Sequence, residues 1–296
     1  MSGAVAIQAL VTGLATGAAY GLIALGFSII HRLTRVLAFA HGDIVSGAVF
    51  VAVLVVIGTV PVAAPLGAGE AIALTVCALA AGAALSAGVY VLAVRPFRGD
   101  VLGWVAGGLA AGLLVRELLG LPFAQQAYAL PDPLGSPPTI ALGEVTVPVR
   151  ALIVLAIGIA AGVLVERLLA VTGAGAVMRA VSDDREAAAL LGVPTERVVI
   201  VAFLLAGALA GLAGLLIAPQ SPIGLEDGVL LGLKGMAAAL LGRLGSLRLA
   251  IAGGLAIGAV EGLILAAPSL GAQWADVLVL ALLAVLAATR PRGLLA

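Results

Sequence analysis

The sequence is poor in the charged residues that soluble proteins carry on their surfaces. Only 10% of its 296 residues are charged, 63% are hydrophobic, and the mean hydropathy is +1.26. A soluble domain would carry about 25% charged residues. The apolar runs are long, they lack alternation of period 2, and no credible strand interrupts them. These properties exclude a soluble domain and predict an all-α polytopic membrane protein.

The chain also lacks the residues that several kinds of site require. Cysteine occurs once, at Cys77, which excludes a disulfide framework and a cysteine metal site. The net charge is zero, so no bulk field attracts nucleic acid. Lys234 is the single lysine and is followed by Gly235 and Met236, which excludes the phosphate-binding motif G-x-x-x-x-G-K-[ST]. We therefore expect no enzymatic activity and no cofactor, and any ATP must be hydrolysed by another polypeptide.

Apolar segments near membrane thickness predict where the chain crosses the bilayer. A spanning helix needs about 20 apolar residues. Such segments lie at 6–30, 42–58, 70–94, 101–120, 149–169, 198–218, 229–242, 249–267 and 274–290. We predict a single domain, residues 1–296, folded as a bundle of about 8–10 transmembrane helices in the lipid bilayer. The segment 229–242 is short and contains Lys234, so it either crosses fully or is re-entrant or broken.

The arginines predict the orientation of this bundle. Alternating the loops gathers most of them on one side: Arg32, Arg35, Arg95, Arg98, Arg167, Arg179, Arg185, Arg197, Arg243, Arg248, Arg290 and Arg292. Positive residues mark the cytoplasmic side, so the N-terminus is predicted outside and the C-terminus inside. The opposite loops hold the acids Glu70, Asp132, Glu144, Glu226, Asp227 and Asp276. With this topology the polar segment 171–197 faces the cytoplasm.

Glycines recur at intervals of four residues in three of the apolar segments. The series are Gly13, Gly17 and Gly21; Gly207 and Gly211; and Gly254, Gly258 and Gly262. Small residues at this spacing let helix backbones approach closely in lipid. The pattern indicates tight packing within one subunit, or pairing with a second membrane subunit.

The segment 171–197 is the most polar part of the chain and predicts a docking helix. Ser182 or Asp183 can cap a helix, and Asp183 with Glu186 has the spacing of a capping box. We predict the helix over 183–191. Its apolar residues share one face: Ala187, Leu190 and Leu191. About two turns are unstable alone in water, so this helix rests on its own bundle or in a partner's groove, unless the segment is a solvated connector.

Ionisable and polar residues within apolar segments are candidates for a translocation pathway. His41, Asp43 and Ser46 lie at the predicted start of the second span, where Asp43 could instead be a helix N-terminal acid. Glu261 lies deep in an apolar segment, so it needs a partner or water and could simply bond two helices. Lys234 either extends to the interface or pairs with an acid. His41 and Asp43 supply too few ligands for a metal site.

Four segments together resemble the branched-chain amino acid permeases of bacterial ABC importers. They are VLAFAHGDIVSGAVFVA (36–52), MRAVSDDREAAALLGVPTERVVIVAFLLAGALAGLAGLL (178–216), LKGMAAALLGRLGSLRLAIAGGLAIGAVEGLI (233–264) and RPRGLL (290–295). The resemblance implies an inner-membrane subunit that pairs with a second permease, identical or related, and with two ATP-binding subunits. It also implies an extracytoplasmic binding protein that delivers leucine, isoleucine, valine or a related amino acid.

The resemblance further implies that the polar segment is a coupling helix seated in the ATPase. Its contact residues would be Asp183, Asp184, Arg185, Glu186, Ala187, Ala188, Leu190 and Leu191. The chain departs from the family at Ala38, where asparagine is usual, at Asp43, where glutamate is usual, and at Arg243, where glycine is common. Related permeases carry sugars, urea or short amides, so another small solute stays open. A gradient-driven carrier using Glu261 or Asp43, and a non-transporting scaffold, are the further alternatives.

Overall fold

The computed structural model describes residues 3–58, 66–97, 100–123, 126–135, 137–143, 145–267 and 272–289. Eleven α-helices lie within these ranges: α1 (Gly3–Thr34), α2 (His41–Val56), α3 (Ala68–Val89), α4 (Val101–Gly120), α5 (Val149–Val171), α6 (Gly173–Asp183), α7 (Arg185–Leu190), α8 (Thr195–Ile217), α9 (Asp227–Leu241), α10 (Leu247–Leu265) and α11 (Ala272–Thr289). A π-helical turn, Tyr90–Val94, extends α3 into a 3₁₀ turn, Arg95–Phe97. The prediction of an all-α bundle is confirmed.

Each predicted apolar segment coincides with a helix, but the helices differ in length. Within the described ranges six are long and apolar enough to cross a membrane: α1, α3 with its extension, α4, α5, α8 and α10. Helices α2 and α9 have 16 and 15 residues. At 1.5 Å per residue they reach about 22–24 Å, less than the roughly 30 Å hydrocarbon core. The short segment predicted at 229–242 is therefore a helix that cannot cross alone.

Helix α1 lies at the centre of the bundle, although it is the first helix of the chain. In its most apolar stretch 89% of residues are buried, against 22% in α4 and in α5. Helices α5, α8, α9 and α10 all pack on α1, and α8 in turn packs on α2 and α3. The sparse burial of α4 and α5 leaves apolar side chains such as Leu114 and Leu164 exposed, as lipid-facing helices require.

The glycine series form a close seam between α1 and α10. A Cβ atom added to Gly17 would lie 2.7 Å from the carbonyl oxygen of Gly254, and one added to Gly258 would meet the Gly13 carbonyl. The second series behaves in the same way, because Gly207 on α8 faces Gly82 on α3. The seams are therefore contacts within one chain, which confirms the first of the two interpretations of the glycine spacing.

The loops assigned to the basic side meet at one end of the bundle. Arg95 pairs with Glu196 at 2.8 Å, and Arg248 pairs with Glu166. Arg35 after α1 donates to the carbonyl of Ser182 in α6. These contacts bring together the loops that the charge pattern placed on the same side. Four charged residues used for that prediction lie outside the described residues, namely Arg98, Glu144, Arg290 and Arg292, as does the segment 290–295.

The prediction that the chain has no strand is wrong. Strands β1 (Thr139–Leu142) and β2 (Val145–Pro148) form an antiparallel hairpin in which Ile140 faces Val147. Gly143 at the turn has a φ of +67°, a conformation that glycine adopts without strain. Strand β2 packs on α1. Four-residue strands are too short for a periodic signal to separate them from the flanking apolar segments.

Candidate functional site

The polar segment folds as two consecutive helices, α6 and α7, that meet at Asp184. Asp184 has an extended backbone, and its Oδ1 accepts hydrogen bonds from the amides of Glu186 and Ala187, both at 2.9 Å. The prediction that Ser182 or Asp183 caps this helix is wrong, because both residues belong to the last turn of α6. The helix predicted over 183–191 is shorter in the structure, Arg185–Leu190, and a helix that the sequence did not predict, α6, ends just before it at Asp183.

The two leucines at the end of α7, Leu190 and Leu191, face away from the bundle. Leu190 is 89% exposed and Leu191 is 85% exposed, whereas Ala188 is buried. Arg185 is half-buried and lies beside the hydroxyl of Tyr90. The other predicted contact residues are exposed: Asp183, Asp184, Glu186 and Ala187. Of the two resting places predicted for this helix, the bundle receives Ala188 and part of Arg185, and both leucines are left at the surface.

Ser182 connects this surface helix pair to the central helix. Its hydroxyl donates a hydrogen bond of 3.0 Å to the carbonyl of Arg32, and its own carbonyl accepts one of 3.3 Å from Arg35. Both arginines lie where α1 ends. Helix α6 is therefore anchored to α1 by hydrogen bonds of its Ser182 side chain and backbone, and α7 follows α6 in the chain.

Three predicted pathway residues lie where the short helices α2 and α9 begin side by side. The hydroxyl of Ser46 donates to the carbonyl of Leu225 at 3.1 Å. The two backbones nearly touch at Gly42, where an added Cβ would lie 2.5 Å from the carbonyl oxygen of Gly228. His41 is fully buried, and its ring packs edge-on against Phe27 with centroids 4.8 Å apart.

Asp43 is buried in the first turn of α2, where the positive end of the helix dipole favours a carboxylate. Its Oδ1 has no hydrogen-bond partner within the described part of the chain. Gly112 of α4 lies against Oδ2 of Asp43, so position 112 has no space for a residue larger than glycine. This position agrees with a helix N-terminal acid, and a role of Asp43 in a pathway stays a prediction.

Lys234 and Glu261, the other two predicted pathway residues, form a separate cluster. The Nζ atom of Lys234 lies 2.7 Å from Glu261 Oε1 and 2.7 Å from Asp276 Oδ1, and the Tyr20 hydroxyl is 3.5 Å away. The side chain of Lys234 is 7% exposed. Of the two predicted alternatives, pairing with an acid is confirmed and extension to the interface is not.

Asp276 and Tyr20 were missed as members of this cluster. The charge pattern assigns Asp276 to an outer loop, but the residue lies in α11. Its carboxylate there faces the buried ammonium group of Lys234. One signal in the sequence could have found it. A lysine in an apolar helix requires acid partners, and Asp276 lies at the border of the last apolar segment.

Comparisons with known proteins cover nearly the whole chain. Residues 9–287 match the family described as "Branched-chain amino acid transport system / permease component". The chain is 24% identical over 294 residues to the high-affinity branched-chain amino acid transport system permease protein LivH of Escherichia coli (strain K12), covering 98% of this chain and 95% of that protein. It is 26% identical over 300 residues to the corresponding permease protein BraD of Pseudomonas aeruginosa, with the same shares covered.

A solved structure shares the fold. It is an ABC transporter assigned to the metal-chelate type, in an inward-facing conformation. The TM-score is 0.51 at 16% sequence identity, and the alignment covers 96% of this chain and 85% of that chain. At this identity the likeness concerns the helical architecture alone.

Proposed function

The chain belongs to the family of branched-chain amino acid transport permease components, and we propose that it carries a branched-chain or related amino acid across the membrane as the permease subunit of an ABC importer. The chain is a multi-pass protein of the inner membrane, and we assign residues 1–296 to one domain. The arginine-rich loops that meet at one end support an N-terminus outside and a C-terminus inside.

The proposed assembly contains two ATP-binding subunits, a second permease and an extracytoplasmic binding protein. The sequence itself supports the need for separate ATPases, because its single lysine, Lys234, is not in a phosphate-binding motif. The second permease is either a copy of this chain or a related one. The binding protein would deliver the cargo to the end of the bundle opposite α7.

The exposed leucines of α7 are the observation that carries this proposal. A helix of six residues is too short to persist alone, yet its start is capped by Asp184 and its end presents Leu190 and Leu191 to solvent. Burying the two side chains in a partner's groove would contribute about 3–6 kcal/mol. An ATPase docked on the cytoplasmic face would offer such a groove.

The proposed mechanism transmits motion from this helix to the bundle. Closure of the ATPases on ATP displaces α7, and the bonds of Ser182 pass the displacement from α6 to α1. Helix α1 carries α10 with it through the glycine seam, and the bundle changes from outward to inward access. The residues proposed to line the pathway are His41, Asp43, Ser46, Lys234 and Glu261.

Reconstitution of the complete complex in liposomes tests the proposal. We expect the double variant Leu190→Asp/Leu191→Asp to insert normally but to lower ATP-driven uptake by at least about tenfold, because two charges would enter the apolar groove. Val171→Asp is the matched control, since Val171 is 77% exposed at the end of α5. Glu186→Lys reverses a charge on the same helix and should likewise reduce coupling.

Two results would reject this assignment. Full uptake by the double leucine variant would mean that α7 does not couple. Uptake by the chain alone, driven by an ion gradient without ATPases, would identify a secondary carrier. Competition among leucine, urea, a short amide and a sugar for uptake would identify the solute.

A further inference from the structure

A cavity of about 450 Å³ lies between the first half of α1 and the second half of α10. Gly13, Gly258 and Gly262 of the glycine seam line it. The two backbones come so close there that a Cβ atom added to Gly262 would lie 2.4 Å from the carbonyl oxygen of Ala9. The volume lies in the range of sites for small ligands. The seam that joins α1 to α10 therefore also leaves room for a small molecule beside it.

This cavity adjoins a second one at the end of the bundle where α1 begins. The second cavity measures about 370 Å³, shares Thr12 and Gln220 with the first, and is lined by Pro148 and Arg150 where β2 meets α5. Helices α6 and α7 lie at the other end of α1, where α6 is bonded through Ser182. The two cavities are therefore placed toward the end to which the proposed binding protein would deliver its cargo.

The lining of the first cavity combines one carboxylate with uncharged polar and apolar side chains. Glu261 is the ionisable side chain among its described lining residues, and Gln8 and Thr12 are polar without charge. Leu265 lies one helical turn beyond Glu261 on α10 and, with Val5 of α1, supplies half-exposed apolar surface. A small molecule that carries a positive group close to an apolar group matches this arrangement.

The carboxylate of Glu261 belongs to a cluster that contains more acid than base. The Nζ atom of Lys234 lies 2.7 Å from an oxygen of Glu261 and 2.7 Å from an oxygen of Asp276. Tyr20 places its uncharged hydroxyl beside Lys234 and Glu261. Within the described contacts, one ammonium group thus faces two carboxylates, and only Glu261 of the three charged residues lines the cavity. A second ammonium group, supplied from the cavity, would balance the remaining negative charge.

We propose that this cavity is a binding site for the amino acid substrate, whose ammonium group pairs with Glu261. The branched side chain contacts Val5 and Leu265, and the amide group of Gln8 suits the carboxylate end of the same molecule. This inference rests on the proposed function and adds the residue that recognises the charge of the substrate. Urea, short amides and sugars carry no ammonium group, so the site favours an amino acid over these solutes.

Protection of an introduced cysteine tests the site. Thr16→Cys, combined with Cys77→Ser, places the single thiol of this chain in the cavity. The permease and its ATP-binding subunits are held in nanodiscs without the binding protein, and the intact mass of this chain follows labelling by a maleimide. The ligands are leucine and 4-methylpentanoate, which has the same side chain and carboxylate but lacks the ammonium group. We expect leucine to protect at a concentration at least about tenfold lower, because a hydrogen bond between charged groups is worth that factor.

Variants of the cavity separate recognition from folding. Glu261→Gln should abolish the preference for leucine, whereas Glu261→Asp keeps a carboxylate and should retain a preference. A merely structural role of Glu261 would weaken protection by both ligands alike. Glu117→Gln is the control, because Glu117 is an exposed acid of α4 outside the described lining. Thr12→Phe fills the cavity without changing the ion pairs of Lys234, and it should prevent protection by either ligand.

Three results would overturn the proposal: no protection by leucine in the Thr16→Cys protein, equal protection by the two ligands, or a preference for leucine that survives Glu261→Gln. ATP-driven uptake by the complete wild-type complex in liposomes is a separate measurement. Uptake that persists while the site fails leaves the transport assignment in place, and loss of uptake in the wild type would reject that assignment instead.

Discussion

Lys234 is a charged residue that is 6% exposed, whereas Leu190 is an apolar residue that is 89% exposed. The first lies on α9 in the interior of the bundle, where Glu261 and Asp276 compensate its charge. The second lies on α7, where the described part of the chain leaves it at the surface. The chain thus compensates the charge of Lys234 with its own acids, whereas it leaves the side chain of Leu190 at its surface.

This contrast separates two kinds of residue that a sequence alone presents as equally unusual. A buried charge is expensive unless it is paired, so the buried position of Lys234 depends on Glu261 and Asp276. An exposed leucine costs little in a single chain but gains a large stabilisation when a partner covers it. Substitutions should therefore affect stability in the interior and coupling at α7.

The largest effect is expected from Lys234→Met. Removing the ammonium group leaves Glu261 and Asp276 without their partner, and breaking a buried pair in this way costs about 3–5 kcal/mol. Thermal melting of the purified protein in detergent measures the loss. The triple variant Lys234→Met/Glu261→Leu/Asp276→Leu is the control, because removing every charge should restore most of the stability. An unchanged melting temperature in the single variant would show that the cluster contributes nothing to folding.

A smaller effect is expected from Gly258→Ala. The new methyl group would meet the Gly13 carbonyl across the seam, and overpacking of this kind costs about 1–3 kcal/mol. Gly88→Ala provides the comparison, since an added Cβ there has no heavy atom within 4 Å. Melting temperatures should fall in the first variant only. Equal melting temperatures of the two variants would show that the close contact between α1 and α10 does not stabilise the fold.

The smallest effect is expected from Asp184→Ala at the start of α7. Loss of the two cap bonds should cost about 1 kcal/mol, confined to α7, because this helix has few bundle contacts. Hydrogen exchange at the amides of Glu186 and Ala187 should accelerate about fivefold, with global melting unchanged. Asp183→Ala removes the neighbouring exposed acid and should leave exchange as it was. Faster exchange in Asp183→Ala, and not in Asp184→Ala, would show that Asp183 caps α7.

The spans were predictable from sequence because apolar composition is a strong and redundant signal. All nine apolar segments coincide with helices, including the short one around Lys234. The hairpin β1–β2 was not predictable, since four residues give too little periodicity. The cap predicted at Ser182 or Asp183 lies one or two residues too early, because either side chain can cap a helix as Asp184 does, and only the length of α6 decides between them.

The polar interior was predictable in kind but not in its pairing. The sequence predicts that Glu261 needs a partner, but the acid that joins it at Lys234 comes from α11, and only the packing of three helices brings these residues together.

Arg243 is a departure from the family that the backbone explains. It stands where relatives were expected to have glycine, and its φ of +60° is the left-handed conformation that glycine adopts freely. The departure noted in sequence therefore marks a strained backbone position.

The seam between α1 and α10 also determines when this protein can finish folding during its synthesis. Helix α1 leaves the ribosome first, but Gly13 and Gly17 pack on residues near the other end of the chain, Gly254 and Gly258. At ~5–20 residues per second, the ribosome needs roughly 12–50 s to make the intervening chain. During this interval α1 stays in lipid or in the translocation machinery without α10, its main packing partner. Biogenesis of this chain thus depends on whatever shields α1 until α10 arrives.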